Sequence, residues 1–274
     1  MPISINCRPF LRWAGGKQWL IKYLDGRLDI SSFTSYHEPF VGGGSVLFHF
    51  QPHQAYISDV NQKLVDTYVA LRKDANAVVK ILERIEVSAE AYYSIRQIEY
   101  EDIFQRAAQF IYLNQTSYNG VYRVNSKGQY NVPYGKRENF RFDFDNILRA
   151  GEYLKLVKKI ECHSFIECLD SIKEGSLCFL DPPYTISHNK NGFIKYNQKL
   201  FTIEDQYRLS QVIDQIKSIG AYYILTNAAH DEVKRIFQKD GDFIYELSRA
   251  SLIGGKNAKR EKYKECIFTN IKLF

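Results

Sequence analysis

Four consecutive residues, Asp181-Pro182-Pro183-Tyr184, combine groups that can bind a flat ring carrying an amino group. They follow the apolar run 176–180, which predicts a buried strand. The prolines lack an N–H group and fix φ, so the strand must end here and leave carbonyl oxygens free to accept hydrogen bonds. An acid, these carbonyls and a tyrosine ring suit adenine or cytosine, bound at the amino group and stacked on the ring face. The alternative interpretation is an ordinary turn after a strand.

A glycine turn is the second candidate site. The segment Glu38-Pro39-Phe40-Val41-Gly42-Gly43-Gly44-Ser45 follows a short predicted strand and leads into the apolar stretch 46–50, which predicts a helix. Glycines let the backbone approach a ligand closely where a strand ends, and a helix N-terminus offers unpaired N–H groups. This order of strand, glycine turn and helix is typical of Rossmann-like folds.

An acidic residue ends the next predicted strand, 55–59. Asp59 stands fifteen residues after Gly44. A carboxylate at this place can bind both hydroxyls of a ribose. Asp59 could instead cap the helix that begins near Asn61, and the two roles are compatible.

A second glycine-containing segment, Phe10-Leu11-Arg12-Trp13-Ala14-Gly15-Gly16-Lys17, precedes the stretch 18–24, which predicts a helix. Glycine and lysine before a helix suggest a phosphate-binding P-loop. However, the spaced glycines of that motif are absent, and Gln18 occupies the position that needs a Mg-binding Ser or Thr. The segment therefore argues against a nucleotide-hydrolysing P-loop.

A basic segment between residues 114 and 141 separates two differently patterned parts of the chain. Residues 62–112 carry apolar side chains at helical spacing, which predicts packed helices. In 114–141 this periodicity is lost, and five basic residues stand against one acidic residue among Tyr and Asn side chains. Such a segment can contact DNA phosphates, base edges and a thymine methyl group. The alternative is a pair of solvated loops.

The second half of the chain alternates predicted strands with helices. Strands are predicted at 160–165, 176–180, 221–227, 243–247 and 265–270, with a helix at 202–217. This pattern predicts an α/β fold whose sheet has a parallel core and an antiparallel edge. The basic tract 249–264, around Gly254-Gly255, predicts a mobile loop between the last two strands.

Composition limits the class of protein. The 274 residues are 45% apolar, which is sufficient for a large core. The net charge of +6 favours a polyanionic partner without proving one. The five cysteines form no Cys-x-x-Cys pair, which argues against a disulfide framework or a zinc site and favours a reducing compartment. No apolar run suits a membrane span or a signal peptide, so we expect a soluble, cytoplasmic protein.

Taken in order, the motifs resemble those of the Dam-type (D12 class) DNA adenine-N6 methyltransferases, over residues 10–270. The matching segments are Trp13-Ala14-Gly15-Gly16-Lys17, Glu38-Pro39-Phe40-Val41-Gly42-Gly43-Gly44-Ser45, Tyr118-Asn119-Gly120, Asn131-Val132-Pro133-Tyr134-Gly135 and Asp181-Pro182-Pro183-Tyr184. The resemblance implies a Rossmann-like S-adenosylmethionine-dependent methyltransferase sheet. It assigns 1–58 and 146–274 to the catalytic domain and 59–145 to an inserted, mostly helical DNA-recognition domain.

The resemblance also implies roles for individual residues. S-adenosyl-L-methionine is expected to bind at Trp13, Lys17, Phe40, Gly42, Gly44, Asp59, Ser164, Phe165 and Asp181. Methyl transfer is assigned to Asp181, Pro182 and Tyr184. DNA contacts are expected from Arg12, Tyr118, Asn119, Val121, Arg123, Pro133 and Lys136. The family's Ser/Asn-rich stretch before the last strand differs here, at 250–257, so no contacts are carried over from it.

The expected activity is transfer of the donor's methyl group to N6 of an adenine rotated out of double-stranded DNA, at GATC or a related site. The resemblance implies a monomer without metal or membrane, in a bacterium or a phage-infected cell, with a role in DNA methylation or restriction-modification. Two other classes stay open. One is a non-catalytic DNA-binding relative, and the other is an amino-methyltransferase acting on cytosine N4, RNA or a protein amide. The basic segment favours adenine in duplex DNA.

Overall fold

The computed structural model describes residues 5–137, 140–184, 201–250 and 262–273. Within these ranges the strands form one seven-stranded sheet. The strands are β1 (Tyr36–Glu38), β2 (Ala55–Asp59), β3 (Lys159–Cys162), β4 (Leu177–Leu180), β5 (Tyr222–Ala228), β6 (Phe243–Ala250) and β7 (Lys262–Thr269). Their order across the sheet is β3-β2-β1-β4-β5-β7-β6.

The sheet is mostly parallel, with an antiparallel pair at one edge. Strand β4 pairs in parallel with β1 and β5, and β2 pairs in parallel with β3. Strand β7 is antiparallel to both β5 and β6. Parallel strands need helical crossovers, which agrees with the alternation along the chain. The predicted α/β fold, with a parallel core and an antiparallel edge, is therefore confirmed.

The helices predicted at 18–24, 46–50 and 202–217 are found within one residue of these bounds, and the helical pattern at 62–112 forms three separate helices. The helices at 144–154 and 231–237 were not predicted. In chain order the helices are α1 (Gln18–Leu24), α2 (Ser45–Phe50), α3 (Gln62–Leu82), α4 (Ala89–Gln97), α5 (Ile103–Thr116), α6 (Phe144–Leu154), α7 (Ile203–Ser218) and α8 (Asp231–Phe237). Thr202 caps α7 by accepting a hydrogen bond from the N–H of Asp205, whose side chain in turn accepts from the N–H of Thr202. No helix within the described ranges is long and apolar enough to cross a bilayer.

The chain divides into two compact units. One comprises Met1–Ile21 and Val41–His163, and the other comprises Lys22–Phe40 and Ser164–Phe274. In the first unit, α3 packs against α5 and α6. The predicted DNA-recognition insert, 59–145, lies within this unit, and its separation from a catalytic domain stays a prediction.

The core of the second unit covers one face of β5 and β7. Leu225 on β5 and Cys266 and Phe268 on β7 pack there with apolar residues of α7 and α8. Successive side chains of a strand point to opposite faces, so Thr226 and Glu265 belong to the other face. Both are nevertheless buried. This second face therefore carries polar groups that water does not reach.

A buried histidine makes the stability of the second unit depend on pH. His37 on β1 is 1% exposed, and its ring nitrogens lie 2.8 Å from Ser35 Oγ and 3.4 Å from Ser171 Oγ. Burial lowers the pKa of His37 to about 4. The unfolded chain, with a histidine pKa near 6.5, binds the proton more readily, so stability should fall as the pH drops from about 6.5 to about 4.

We expect this histidine to account for about 3 kcal/mol of the free energy of unfolding lost across that window. Urea denaturation at pH 4.5 and pH 7 of the wild type and of His37→Gln measures it, since the variant should lose less stability between the two pH values. Equal losses in both proteins would contradict the assignment. An NMR titration of the wild-type His37 ring provides the same test without a variant.

Candidate functional site

Asp181 follows β4 directly, at the carboxyl end of a strand that has parallel neighbours on both sides. Thr226 on β5 donates a hydrogen bond of 2.7 Å from Oγ1 to Asp181 Oδ1. Pro182 is buried, and the strand ends at Leu180, as the two prolines predict. The carboxylate is therefore held by a buried threonine at the edge where α/β folds bind their ligands.

Tyr184 is held by a second buried group. Its hydroxyl donates a 2.7 Å hydrogen bond to Oε2 of Glu265 on β7, a residue that is only 3% exposed. Burial raises the pKa of Tyr184 well above its ordinary value, and the charges of Glu265 and Asp181 raise it further. The phenol therefore remains protonated and acts as the donor in this pair.

Phe40, Phe165 and Phe201 form an aromatic cluster in the same unit. The rings of Phe40 and Phe165 stack with centroids 5.4 Å apart, and Phe201 lies within 5.7 Å of both. Phe165 is buried and Phe40 is half-buried, so Phe40 offers the more accessible ring. Ser164 is half-buried, and its N–H donates a 2.7 Å hydrogen bond to Glu167 Oε2.

The glycine turn lies in the first unit and needs glycine for two reasons. Gly42 has φ 48° and Gly44 has φ 67°, in the left-handed region that other residues rarely adopt. A Cβ atom on Gly42 would come within 2.8 Å of the Trp13 ring, and one on Gly44 within 2.9 Å of the Phe48 ring. The Tyr68 hydroxyl donates a 2.7 Å hydrogen bond to the carbonyl of Gly42. The conformation of the turn is thus fixed by ring packing and by this hydrogen bond.

Asp59 connects the end of β2 to this turn. Its Oδ2 accepts a 3.1 Å hydrogen bond from the N–H of Gly42, and Oδ1 accepts one of 2.9 Å from Asn61. Burial raises the pKa of Asp59, against the effect of the hydrogen bonds from Asn61, Gly42 and Val60. Asn61 caps α3, so the alternative interpretation of Asp59 as the cap is wrong.

The segment that contains Trp13 and Lys17 lies against the same turn. Besides contacting Gly42, the Trp13 ring stacks on Tyr122 with centroids 5.6 Å apart. A Cβ atom on Gly16 would lie 3.2 Å from Oγ of Ser45, the first residue of α2. Lys17 is buried at the start of α1, and its Nζ donates a 2.7 Å hydrogen bond to the carbonyl of Gly15. Trp13, Gly42, Gly44 and Asp59 are thus brought together, with Lys17 beside them.

The basic segment contains two stretches of chain that are hydrogen-bonded to each other. The N–H of Tyr118 donates to the carbonyl of Pro133 at 2.9 Å, and the N–H of Gly135 donates to that of Thr116 at 2.9 Å. A Cβ atom on Gly135 would lie 2.7 Å from the carbonyl oxygen of Ser117. We call 116–123 and 131–136 the paired recognition segments. They are irregular, as predicted, but closely joined.

Most predicted DNA contacts lie on these segments with their side chains accessible. Tyr118 is 59% exposed, and Asn119, Arg123, Pro133 and Lys136 are also exposed, whereas Val121 is half-buried. Arg123 Nε donates a 2.9 Å hydrogen bond to Oδ1 of Asn131, whose N–H donates to the carbonyl of Arg123. This partner fixes the direction of the guanidinium group.

Arg12 joins the paired recognition segments from a distant part of the sequence. Its backbone exchanges two 2.8 Å hydrogen bonds with the Asn114 side chain, and a Cβ atom on Gly120 would come within 2.5 Å of its Cβ. Partial burial and the positive charge of Arg137 both lower the pKa of Arg12. Two guanidinium groups that repel each other favour binding of an anion such as a phosphate. Sequence patterns identified the charge of Arg137 but not this pairing.

The prediction for the basic tract 249–264 is wrong at both ends. Strand β6 continues to Ala250 and β7 begins at Lys262, with Arg249 paired to Tyr263 and Ala250 to Lys262. Pairing of the backbone between β6 and β7 therefore determines the structure at both ends of this tract, where the local composition had predicted a loop. Residues 251–261 lie outside the described part of the chain. Among the described residues, no group of His, Cys, Asp and Glu side chains has the arrangement of a metal site.

Comparison with known proteins gives a consistent result. The sequence pattern of the family described as D12 class N6 adenine-specific DNA methyltransferase matches residues 13–251. The type II methyltransferase M1.LlaDCHI of Lactococcus lactis subsp. cremoris is 31% identical, over 97% of this chain and 96% of the relative. M.MjaIII of Methanocaldococcus jannaschii is 34% identical over 82% and 85% of the two chains. A DNA adenine methylase of Escherichia coli K12 is 27% identical over 95% and 94%.

Proposed function

Because the chain belongs to the D12 class of N6 adenine-specific DNA methyltransferases, we propose that it rotates an adenine out of duplex DNA and methylates it at N6, with GATC or a related sequence as its site. S-adenosyl-L-methionine is the donor implied by the family. The observation that carries the proposal is the acid at the end of β4, held by Thr226 and followed by Pro182 and Tyr184. The enzyme is proposed to act as a monomer.

The residues present fit the donor. The left-handed φ values of Gly42 and Gly44 shape a tight turn directly before α2, as in the cofactor-binding turn of Rossmann-like folds. The Asp59 carboxylate beside that turn suits the two ribose hydroxyls, and the accessible ring of Phe40 suits an adenine ring. When bound, the donor supplies a methyl group that its sulfonium already makes electrophilic.

Asp181 and Pro182 orient the adenine amino group and make it a better nucleophile. The lone pair of adenine N6 is delocalised into the ring, which makes the nitrogen a poor nucleophile. Hydrogen bonds from N6 to the Asp181 carboxylate and the Pro182 carbonyl draw the nitrogen towards tetrahedral geometry and localise that lone pair. Much of the rate gain comes from holding the amino group in line for attack. Asp181 need not remove a proton before transfer, because the N–H acidity rises once nitrogen carries the positive charge.

Tyr184 compensates for part of the cost of removing the base from the helix. Extrusion of a base costs a few kcal/mol, and stacking on an aromatic ring returns roughly 1–3 kcal/mol. The half-buried ring of Tyr184 is fixed through its hydroxyl, so little side-chain entropy is lost when the base arrives.

The paired recognition segments provide the DNA contacts in this proposal. Exposed Tyr118, Asn119 and Pro133 suit base contacts, and Lys136 suits a phosphate. Val121 and Pro133 offer apolar surface to a thymine methyl group, and Arg123 can donate two hydrogen bonds to a guanine edge. Arg12, whose guanidinium group feels the positive charge of Arg137, suits a phosphate contact.

The proposal is tested by incubating the protein with isotopically labelled donor and either duplex DNA, single-stranded DNA, RNA or protein. We expect label in duplex DNA alone, recovered as N6-methyladenine, and sequencing of the methylated bases should place it within GATC or a close relative. Label recovered as N4-methylcytosine, or in RNA or protein, would overturn the substrate. Methyladenine at an unrelated sequence would overturn only the site.

Asp59→Ala tests the donor-binding role. We expect the KM for S-adenosyl-L-methionine to rise about tenfold or more, with a smaller loss of kcat at saturating donor, because the ribose hydroxyls and the turn both lose a partner. Steady-state kinetics with varied donor concentration measure this. Asn61→Ala is the control, since it removes only the α3 cap and should leave the donor KM unchanged. An unchanged KM in Asp59→Ala would return that residue to a structural role.

A further inference from the structure

Side chains on one face of the antiparallel strand pair β5–β7 hydrogen-bond to two residues of the proposed reaction site. Thr226 on β5 holds Asp181, and Glu265 on β7 holds Tyr184. Ala228 is the cross-strand partner of Glu265, and Thr226 lies two residues from Ala228 on the same face. The two anchors are therefore diagonal neighbours on a single rigid surface.

Glu265 is an unusual residue for this place. It precedes Cys266, Ile267 and Phe268, all of them buried, and is itself 3% exposed. A buried carboxylate is costly unless it is hydrogen-bonded, so a sheet built only for packing would favour an apolar side chain here. The Tyr184 hydroxyl provides a hydrogen bond at 2.7 Å.

We propose that Glu265 is a positioning residue for the target base: by accepting the Tyr184 hydroxyl hydrogen bond, it fixes the plane of the tyrosine ring on which the extruded adenine stacks. This inference rests on the proposed function. A phenol ring attached to the chain only at Cβ can rotate about two side-chain bonds, and a hydrogen bond at its far end stops that rotation. The ring face is then presented in one orientation beside the anchored Asp181 carboxylate.

The test compares Glu265→Ala, Glu265→Gln and Tyr184→Phe in the full chain. We expect Glu265→Ala to lower kcat about tenfold or more, with the KM for the donor and the Kd for DNA within about threefold of wild type. Glu265→Gln keeps an oxygen acceptor and should stay within about threefold of the wild-type kcat. Because the anchor works through the hydroxyl, Glu265→Ala should cost less than about twofold further in a Tyr184→Phe background.

A second measurement follows the base itself. The target adenine of the site that the wild type methylates is replaced by 2-aminopurine, whose fluorescence rises when it leaves the stack and falls when it stacks on an aromatic ring. We expect Glu265→Ala and Tyr184→Ala to change the fluorescence of the complex in the same direction, by about twofold or more. A purely structural role would lower the midpoint of thermal unfolding without this signal. Glu246→Ala, on the adjacent strand, is the matched control and should leave kcat and fluorescence unchanged.

The inference is overturned if Glu265→Ala leaves kcat and fluorescence as in wild type, or if its loss multiplies with that of Tyr184→Phe. Loss of the folded state in every Glu265 variant while Tyr184→Phe remains fully active would also overturn it. Failure of the proposed function looks different, since the wild type would then transfer no methyl group to adenine in any duplex.

Discussion

Alanine in place of Asp181 is expected to reduce methyl transfer below a few per cent of wild type, while the affinity for duplex DNA stays within about tenfold. In the proposed mechanism the carboxylate binds the amino group and not the phosphates, so its loss should affect the chemical step far more than DNA binding. Single-turnover kinetics with labelled donor measure the first quantity, and fluorescence anisotropy with labelled DNA measures the second.

Thr226→Val is the companion variant to Asp181→Ala. It keeps the carboxylate and the side-chain volume but removes the 2.7 Å hydrogen bond that orients Asp181. An intermediate loss of rate is expected, since positioning of the acid is weakened and not abolished. More than a few per cent of wild-type transfer in Asp181→Ala would refute the role assigned to that carboxylate.

Arg123→Ala is expected to relax the sequence preference at one guanine of the methylated site. Two hydrogen bonds from a guanidinium group to a guanine edge provide about 1–3 kcal/mol of discrimination against other bases. Asn131 directs the group through a 2.9 Å hydrogen bond, so little orientational freedom is lost on binding. Sequencing methylated adenines in DNA treated with wild type or variant measures the change directly.

Two lysines in the same region serve as controls for Arg123→Ala. Lys136→Ala should weaken binding to all sequences and make the dependence of affinity on salt shallower by about one unit, as expected for a lost phosphate contact. Lys127→Ala removes the same charge from the exposed turn between the paired recognition segments and should not change the preferred sequence. An Arg123→Ala methylation profile identical to wild type would refute the recognition role and leave methyl transfer untouched.

The sequence predicted those strands and turns that are determined by residues within the same short stretch of chain. The strand before Asp181, the glycine turn after β1 and the strand ending at Asp59 were all predicted, because glycine, proline and apolar runs act on their own stretch of backbone. The capping of α7 by Thr202 is local in the same way. The candidate site residues Asp181 and Asp59 stand directly beside these local signals in the sequence.

The anchors of the site could not be predicted, because they depend on contacts between distant parts of the chain. Thr226 is 45 residues from Asp181, and Glu265 is 81 residues from Tyr184. The sequence signal for Glu265 is an acid directly before three apolar residues, Cys266, Ile267 and Phe268. Likewise, the composition of 249–264 predicted a loop at positions that β6 and β7 occupy, since cross-strand pairing overrides local preference.

In the paired recognition segments, the groups that hold the backbone together differ from the side chains that are exposed. The backbone is held by hydrogen bonds and by Gly135, which has no room for a side chain, whereas the side chains of Tyr118, Asn119 and Pro133 are exposed. Under the proposed recognition role, substitutions at Tyr118 and Pro133 should therefore change base contacts with little effect on folding. Asn119, with φ 56°, lies in the left-handed region and should tolerate fewer replacements. Under the same proposal, a new target sequence could arise by single replacements of exposed side chains, while Gly135 and the backbone hydrogen bonds beside it are kept.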